Sequence, residues 1–179
     1  MHLDFMRDNS KAFPVTDNAE TVKSLRIWHC KYTSLKGLCI FQNLEELVIA
    51  TFPDNSLEIL ASLPQLRYLK IVHLPKISEL SPLASLKKME SLSLSTLPTW
   101  DTSGKTTTID SLEPIASLPH LKHLELFGVC PADKSLKILE ASKSLRSARF
   151  SKYPKTEIEH FYETTGIENK FNPEPSFSK

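Results

Sequence analysis

Glycine, cysteine and long apolar runs are all scarce in this chain of 179 residues. Four glycines leave little material for the glycine-rich loops that hold phosphate groups. The three cysteines, Cys30, Cys39 and Cys130, are widely spaced and form no CxxC pair, which argues against a disulfide framework or a structural zinc site. No apolar run approaches the roughly 18 residues of a membrane-spanning helix, and the N-terminus lacks a signal-peptide core. These absences predict a reduced, cytoplasmic single domain.

Net charge is also nearly absent, since 22 Lys and Arg residues balance 21 Asp and Glu residues. Such a chain has no overall field to draw it to nucleic acid or to an anionic membrane. The hydrophobic share of 40% is nevertheless large enough to form a packed core. We therefore expect neither nucleic acid nor a membrane as a partner.

Leucine, by contrast, occurs 26 times and recurs in a fixed frame. A Leu-x-x-Leu-x-Leu pattern, or a close apolar variant of it, starts at residues 22, 44, 66, 89, 121 and 145. Its second half alternates with period two, which predicts a short strand with one buried face. Between the frames, apolar residues fall at every third position, as in Ile77, Leu80, Leu83 and Leu86, which predicts tight helical or 3-10 turns. Stacked units of this kind bury a stripe that no single unit can bury alone.

This frame resembles the leucine-rich-repeat family, in particular its short class of about 22 residues per repeat, as in stand-alone bacterial repeat proteins. The resemblance covers about residues 22–153. It implies an α/β solenoid of about six repeats, with a curved parallel sheet on the concave face and short helical or 3-10 turns on the convex face. One departure is that the position usually occupied by asparagine is apolar in every repeat: Cys30, Phe52, Leu74, Leu97, Val129 and Tyr153.

The two ends of a solenoid need covering. We predict an N-terminal cap over residues 1–21, repeats over 22–154, and a C-terminal capping helix and tail over 155–179. Thr156 to Glu159 read as a capping box that opens the helix, and Gly166 is placed to end it. Residues 171–175 lack any period and are predicted to be loose or extended.

No arrangement of residues predicts catalysis, a cofactor or a metal. His29 and His73 occupy equivalent positions two repeats apart, roughly 10 Å, which is too far for a shared zinc ion. The segment around Lys105 imitates the end of a phosphate loop, but Thr99 stands where the first glycine is needed. Glu45 and Glu46 point to opposite sides of a strand and cannot share a proton.

Binding is the remaining role, because residues between the strand leucines face the concave side in this family and commonly contact ligands there. Eight basic and four acidic side chains occupy these positions. Arg26, Lys70 and Arg149 share the central position, and Tyr68 and Phe127 flank it. Arginine and aromatic residues commonly anchor protein interfaces.

The aromatic residues of this surface could either bind a partner or pack within the chain, and the balance differs from one residue to the next. Trp28 either faces a partner or packs under the N-terminal cap, whereas Tyr68 and Phe127 are harder to bury in that way. Residues 98–108 lengthen one repeat, and polar insertions of this kind often lie on a binding face. Trp100 in this insertion is either tucked onto the rim or offered to a partner. The candidate partner-binding residues are Arg26, Trp28, Tyr68, Lys70, Trp100, Phe127 and Arg149.

The sequence thus predicts a non-enzymatic module that binds a protein through its concave face. An inhibitor, for example a bacterial immunity protein that neutralises a toxin or enzyme, is one version suggested by the family. The alternative is a targeting or regulatory subunit that directs a separate enzyme such as a phosphatase.

Overall fold

The computed structural model describes residues 1–178, apart from the side chain of Asp101. Within this range the strands are β1 (His2–Met6), β2 (Ser24–Trp28), β3 (Glu46–Ile49), β4 (Tyr68–Val72), β5 (Ser91–Ser95), β6 (Thr107–Ile109), β7 (His123–Phe127), β8 (Val129–Pro131), β9 (Ser147–Ser151) and β10 (Glu168–Asn169). The α-helices are α1 (Glu58–Ala61), α2 (Pro98–Thr102), α3 (Glu113–Ala116) and α4 (Lys155–Thr165). Short 3-10 helices span Ala19–Thr21, Lys36–Ile40, Ser81–Ser85, Lys137–Ala141 and Ser176–Ser178.

Eight of the strands form one parallel sheet in the order β1-β2-β3-β4-β5-β7-β9-β10. Equivalent frame positions pair across it, so the middle leucines of successive frames are neighbours: Leu25, Leu47, Leu69, Leu92 and Leu124. The short helices between the strands pack against one another in sequence order. The predicted α/β repeat solenoid is therefore confirmed.

The leucine frame is the core of the molecule. The five paired leucines of the sheet are completely buried, as are the apolar residues at every third position of the helical turns. The residues that replace the usual asparagine also serve the core, since Phe52, Leu74 and Val129 have no exposed surface. Tyr153 is buried beside them and donates its hydroxyl to the Val129 carbonyl at 2.9 Å.

The N-terminal segment adds a strand to the sheet. Strand β1 pairs in parallel with β2, so Leu3 and Phe5 continue the rows of Leu25 and Ile27. Phe13 closes this end through edge-on ring contacts with Phe5 and with Tyr32 and Phe41 of the first repeat.

Helix α4 covers the other end of the core. Phe161 is fully buried and lies 5.2 Å from the ring of Phe150 on β9. Gly166 ends the helix in the left-handed region with φ of 68°, and its N–H donates to the Tyr162 carbonyl. Helix α4 thus packs over the apolar end of the last repeat.

The predicted capping box at the start of α4 is wrong. The residue before the helix is Pro154, and no side chain caps the helix there. Glu157 instead turns to the neighbouring repeat, where it accepts hydrogen bonds from the Leu136 N–H at 2.7 Å and the Ser135 hydroxyl at 3.1 Å. The carboxylate thus ties the helix to the solenoid, because it satisfies an open backbone donor of the adjacent turn.

The residue that follows a strand often bends the chain through the left-handed region. Arg7, His29, His73, Gly128 and Lys152 all occupy this position and have positive φ. Only Gly128 is free of the steric cost that a side chain brings there. A β-carbon at Gly128 would also collide with the side chain of Thr96 in the adjacent repeat.

Gly128→Ala is therefore expected to lower the free energy of unfolding by about 2–4 kcal/mol, from left-handed strain and overpacking together. Gly104→Ala is the matched control, since Gly104 has φ of 76° but no atom within 4 Å of its added β-carbon. That change should cost only the strain of about 1 kcal/mol. Urea unfolding measures both variants. If Gly128→Ala and Gly104→Ala lower the free energy of unfolding equally, the collision with Thr96 contributes nothing.

Candidate protein-binding face

The concave face is the side of the sheet whose side chains alternate with the buried leucines. It consists of three rows that run across the strands. The first row is His2, Ser24, Glu46, Tyr68, Ser91, His123 and Ser147. The middle row is Asp4, Arg26, Val48, Lys70, Ser93, Glu125 and Arg149. The last row contains Met6, Trp28, Val72, Ser95, Phe127 and Ser151.

Most charges of the middle row are paired within the chain. Arg26 binds Asp4 through two hydrogen bonds, one of them from Nε to Oδ1 at 3.0 Å. These bonds from Arg26 hold the pKa of Asp4 below its usual value. Lys70, in contrast, forms no salt bridge with any residue that the structure describes. Of the three predicted central cations, Lys70 is thus the one without an acidic partner in the described range.

Arg149 is held between a carboxylate and an aromatic ring. Its Nη1 lies 3.6 Å from the Oε2 of Glu125, and its guanidinium carbon lies 4.8 Å from the centroid of the Phe127 ring. Glu125 is buried and also accepts a 2.8 Å hydrogen bond from the hydroxyl of Ser93. Arg149 itself is exposed, so the face presents a guanidinium that an ion pair and a cation–π contact already orient before binding.

A second charge cluster lies at the edge of the sheet where the strands begin. Glu90 accepts hydrogen bonds from Lys122 Nζ at 2.7 Å and from Arg67 Nε at 2.8 Å. Both cations lower the pKa of Glu90, Lys122 most strongly. Glu90 is one of the four acids already counted on this face, so its pairing leaves the basic surplus unchanged, whereas Asp4 of β1 was not counted and lowers the surplus by one.

Trp28 is half-buried at the end of β2. Its ring meets that of His29 at 5.3 Å, and Met6 of β1 is its neighbour in the last row. The N-terminal segment therefore lies beside Trp28 as a strand. Together with Phe127, which is also half-buried, Trp28 gives the last row its aromatic character.

Trp100 lies on the rim, in helix α2 of the insertion. Its ring packs edge-on against His73 with centroids 4.7 Å apart, and Lys105 Nζ lies 5.9 Å from its centroid. His73 is buried, and this burial lowers its pKa. The insertion then forms β6, which pairs in parallel with β8. The Trp100 ring thus packs against the rim of the solenoid and remains partly exposed.

Tyr68 was expected to be exposed on the concave face, but the structure buries it. It is only 7% exposed, and this burial raises its pKa to about 12. Pro173 and Glu174 line the same cleft as Tyr68, so the C-terminal tail, residues 170–178, covers this part of the concave face. The tail is packed against the sheet, because the Ser176 N–H and hydroxyl both donate hydrogen bonds to Glu46.

The described chain offers little sign of a metal site or a membrane segment. Residues 1–178 contain no cluster of three or more His, Cys, Asp and Glu side chains placed to hold a metal ion. None of the helices in this range has the length and apolar character needed to cross a membrane. The three thiols are free, and burial raises the pKa of the Cys130 thiol.

Solved structures with the same arrangement come from the internalins of Listeria monocytogenes. Internalin C2 matches with a TM-score of 0.52 and 24% identity, over 72% of this chain and 51% of its own. The chain has a leucine-rich-repeat fold. A second internalin, InlF, matches with a TM-score of 0.46 and 21% identity, over 82% of this chain and 46% of its own.

The leucine-rich-repeat chain spans about half the length of these internalins. No protein-family model and no curated protein sequence matches it. The internalin likeness at this identity concerns the fold, so the role of the concave face depends on its own residues.

Proposed function

We propose that this chain is a non-enzymatic protein-interaction module and that it binds its partner through the concave face. The observation that carries the proposal is the fixed guanidinium of Arg149, paired with Glu125 and stacked on Phe127. Arginine and aromatic side chains that are ordered before binding lose little entropy on association and are typical anchors of protein interfaces. The internalin-like fold supports such a role at a general level.

The specific form that we propose is a cytoplasmic inhibitor, such as an immunity protein, that occupies a toxin or enzyme. A repeat module without its own catalytic site acts by occupying or positioning its partner. The acids Glu46 and Glu125 on this face and Glu90 at its edge disfavour a nucleic acid there, since they already pair with or offset several of the cations that would bind phosphates.

Affinity capture with the full chain, followed by an activity assay of the captured protein, tests this function. The captured protein is identified by mass spectrometry and then assayed with and without the repeat protein. Loss of its activity supports an inhibitor. Unchanged turnover with an altered choice of substrate supports a targeting subunit instead. Capture that survives replacement of the concave anchors, while a convex replacement abolishes it, would overturn the proposed face.

A further inference from the structure

The C-terminal tail crosses almost the whole concave face. It leaves β10 at one edge, and residues 171–174 share a cleft with Lys70 and Arg149 of the middle row. Pro173 and Glu174 then pass Tyr68. Ser176 reaches β3, and Phe177 reaches β1 and β2 at the other edge. The path runs perpendicular to the strands, as a bound peptide would lie across the sheet.

Its length fits this crossing only if the tail is stretched. Because Ser176–Ser178 forms a 3-10 helix at the far end, residues 171–175 make the crossing. These residues reach at most about 18 Å in the extended state, which is close to the roughly 19 Å of the four strand spacings from β9 to β3. Pro173 and Pro175 favour this shape, because proline fixes its own φ and disfavours helical conformation in the residue before it. A segment preset in this way loses little conformational entropy on docking.

Two contacts anchor the far end of the tail. The Oε2 atom of Glu46 accepts hydrogen bonds from the Ser176 N–H at 2.9 Å and from the Ser176 hydroxyl at 2.7 Å. The Phe177 ring stacks on His2 with centroids 4.1 Å apart, and the guanidinium carbon of Arg26 lies 5.9 Å from its centroid. Pro175, between the Pro173 cleft and these anchors, is buried.

We propose that the tail is an internal ligand of the concave face and that a protein partner displaces it. The partner would present an extended, proline-containing segment with an acidic and an aromatic side chain. This inference rests on the proposed function, because it assigns the chemistry of the partner to the same face.

Each element of that partner segment has a counterpart on the face. Glu46 accepts from a backbone N–H or a hydroxyl, and the pair of His2 and Arg26 receives an aromatic ring. Lys70, which has no salt bridge within residues 1–178, supplies the cation for an acidic side chain. The contacts that the tail itself makes with Glu46, His2 and Arg26 use the first and middle rows. Trp28 in the last row is partly exposed and offers a first contact before the tail leaves.

A labelled peptide tests the displacement directly. The probe is a fluorescent peptide of residues 170–178, titrated against the full-length wild-type chain and against the full-length double variant Ser176→Ala/Phe177→Ala. The tethered tail competes at an effective concentration on the order of 1 mM, and a tail docked in about nine molecules of ten lowers the apparent affinity about tenfold. We expect the double variant to bind the peptide at least tenfold more tightly. Equal affinities, including no detectable binding to either protein, would overturn the proposal.

Controls locate the peptide on the predicted path. In the double variant, adding Glu46→Ala should weaken the peptide again, whereas adding Glu58→Ala on the exposed helical side should not. A peptide with alanine in place of Phe177 should bind more weakly than the natural one. Equal peptide binding before and after Glu46→Ala would place the peptide elsewhere and overturn the inference.

Hydrogen exchange of the wild-type chain gives an independent measurement. The Ser176 amide, which donates to Glu46, should exchange about tenfold or more slowly than in the free peptide, since only undocked molecules exchange it. Glu46→Ala should abolish most of that protection. Exchange at the free-peptide rate in the wild type would show that the tail is not docked.

The captured partner separates this inference from the proposed function. If both hold, the double variant binds the partner at least tenfold more tightly than the wild type. If concave replacements abolish partner binding while release of the tail changes nothing, the internal-ligand inference fails alone. If the peptide behaves as expected while concave replacements leave partner binding intact, the proposed function fails alone.

Discussion

Replacing Leu124 with alanine is expected to lower the free energy of unfolding by about 2–5 kcal/mol. Leu124 has no exposed surface and lies on β7, between Leu92 of one neighbouring strand and Ala148 of the other. Removing its side chain loses the apolar transfer energy and leaves a cavity that the rigid ladder of strands fills only in part. Leu69→Ala should behave alike, since Leu69 is equally buried in the same ladder. Urea unfolding measures both changes.

Ile138→Ala is the matched control for this loss. Ile138 is 42% exposed on a 3-10 helix, so its truncation should cost less than about 1 kcal/mol. Unfolding midpoints that are the same for Leu124→Ala and the wild type would mean that the leucine frame is misaligned.

Arg149→Ala and Phe127→Ala are each expected to weaken binding of the protein partner about thirtyfold, which corresponds to about 2 kcal/mol. The stacked arginine presents a fixed guanidinium, and Phe127 supports it from the last row. Because Arg149 is exposed whereas Phe127 is half-buried, the melting temperature should change less for Arg149→Ala than for Phe127→Ala. Titration calorimetry with the identified partner measures the affinity.

Glu58→Ala is the control for these binding variants, because Glu58 is exposed in α1 on the helical side. It should alter neither affinity nor stability. Tyr68→Ala is a less clean test than Arg149→Ala, since Tyr68 is buried beneath the tail and its removal should also affect stability. If Glu58→Ala weakens binding and the concave changes do not, the partner uses the helical face.

The strands of the repeats were predictable because each frame combines period-two alternation with a nearly constant spacing. Strand β1 was not, since Leu3 and Phe5 stand before the first full frame and only their pairing with Leu25 and Ile27 marks them as a strand. The insertion shows no alternating pattern in the sequence, and its strand β6 is marked as a strand by its pairing with β8. The local sequence pattern therefore predicted the repeated strands, but it missed β1 and β6, which are recognisable only from the one strand that each pairs with.

The candidate face shows the same division. Its rows follow from the frame, so the positions of Arg26, Lys70 and Arg149 were predictable from the sequence. The sequence did not show which of these cations already has an acidic partner, because Asp4, which binds Arg26, lies on the unpredicted strand β1. The burial of Tyr68 depends on a tail more than a hundred residues later, and the alternating prolines at 173 and 175 were its only local signal.

The crossing tail also changes how the two ends of the molecule depend on each other. In a solenoid each repeat touches only its neighbours, so the first and last repeats can open independently. Here Ser176 and Phe177 connect the C-terminal end to the first strands of the sheet, across 130 residues in the case of Ser176 and Glu46. The tail thus closes a linear stack into a ring of contacts. We therefore expect release of the tail to loosen the first strands and the C-terminal end at the same time, whereas in an open stack each end frays alone.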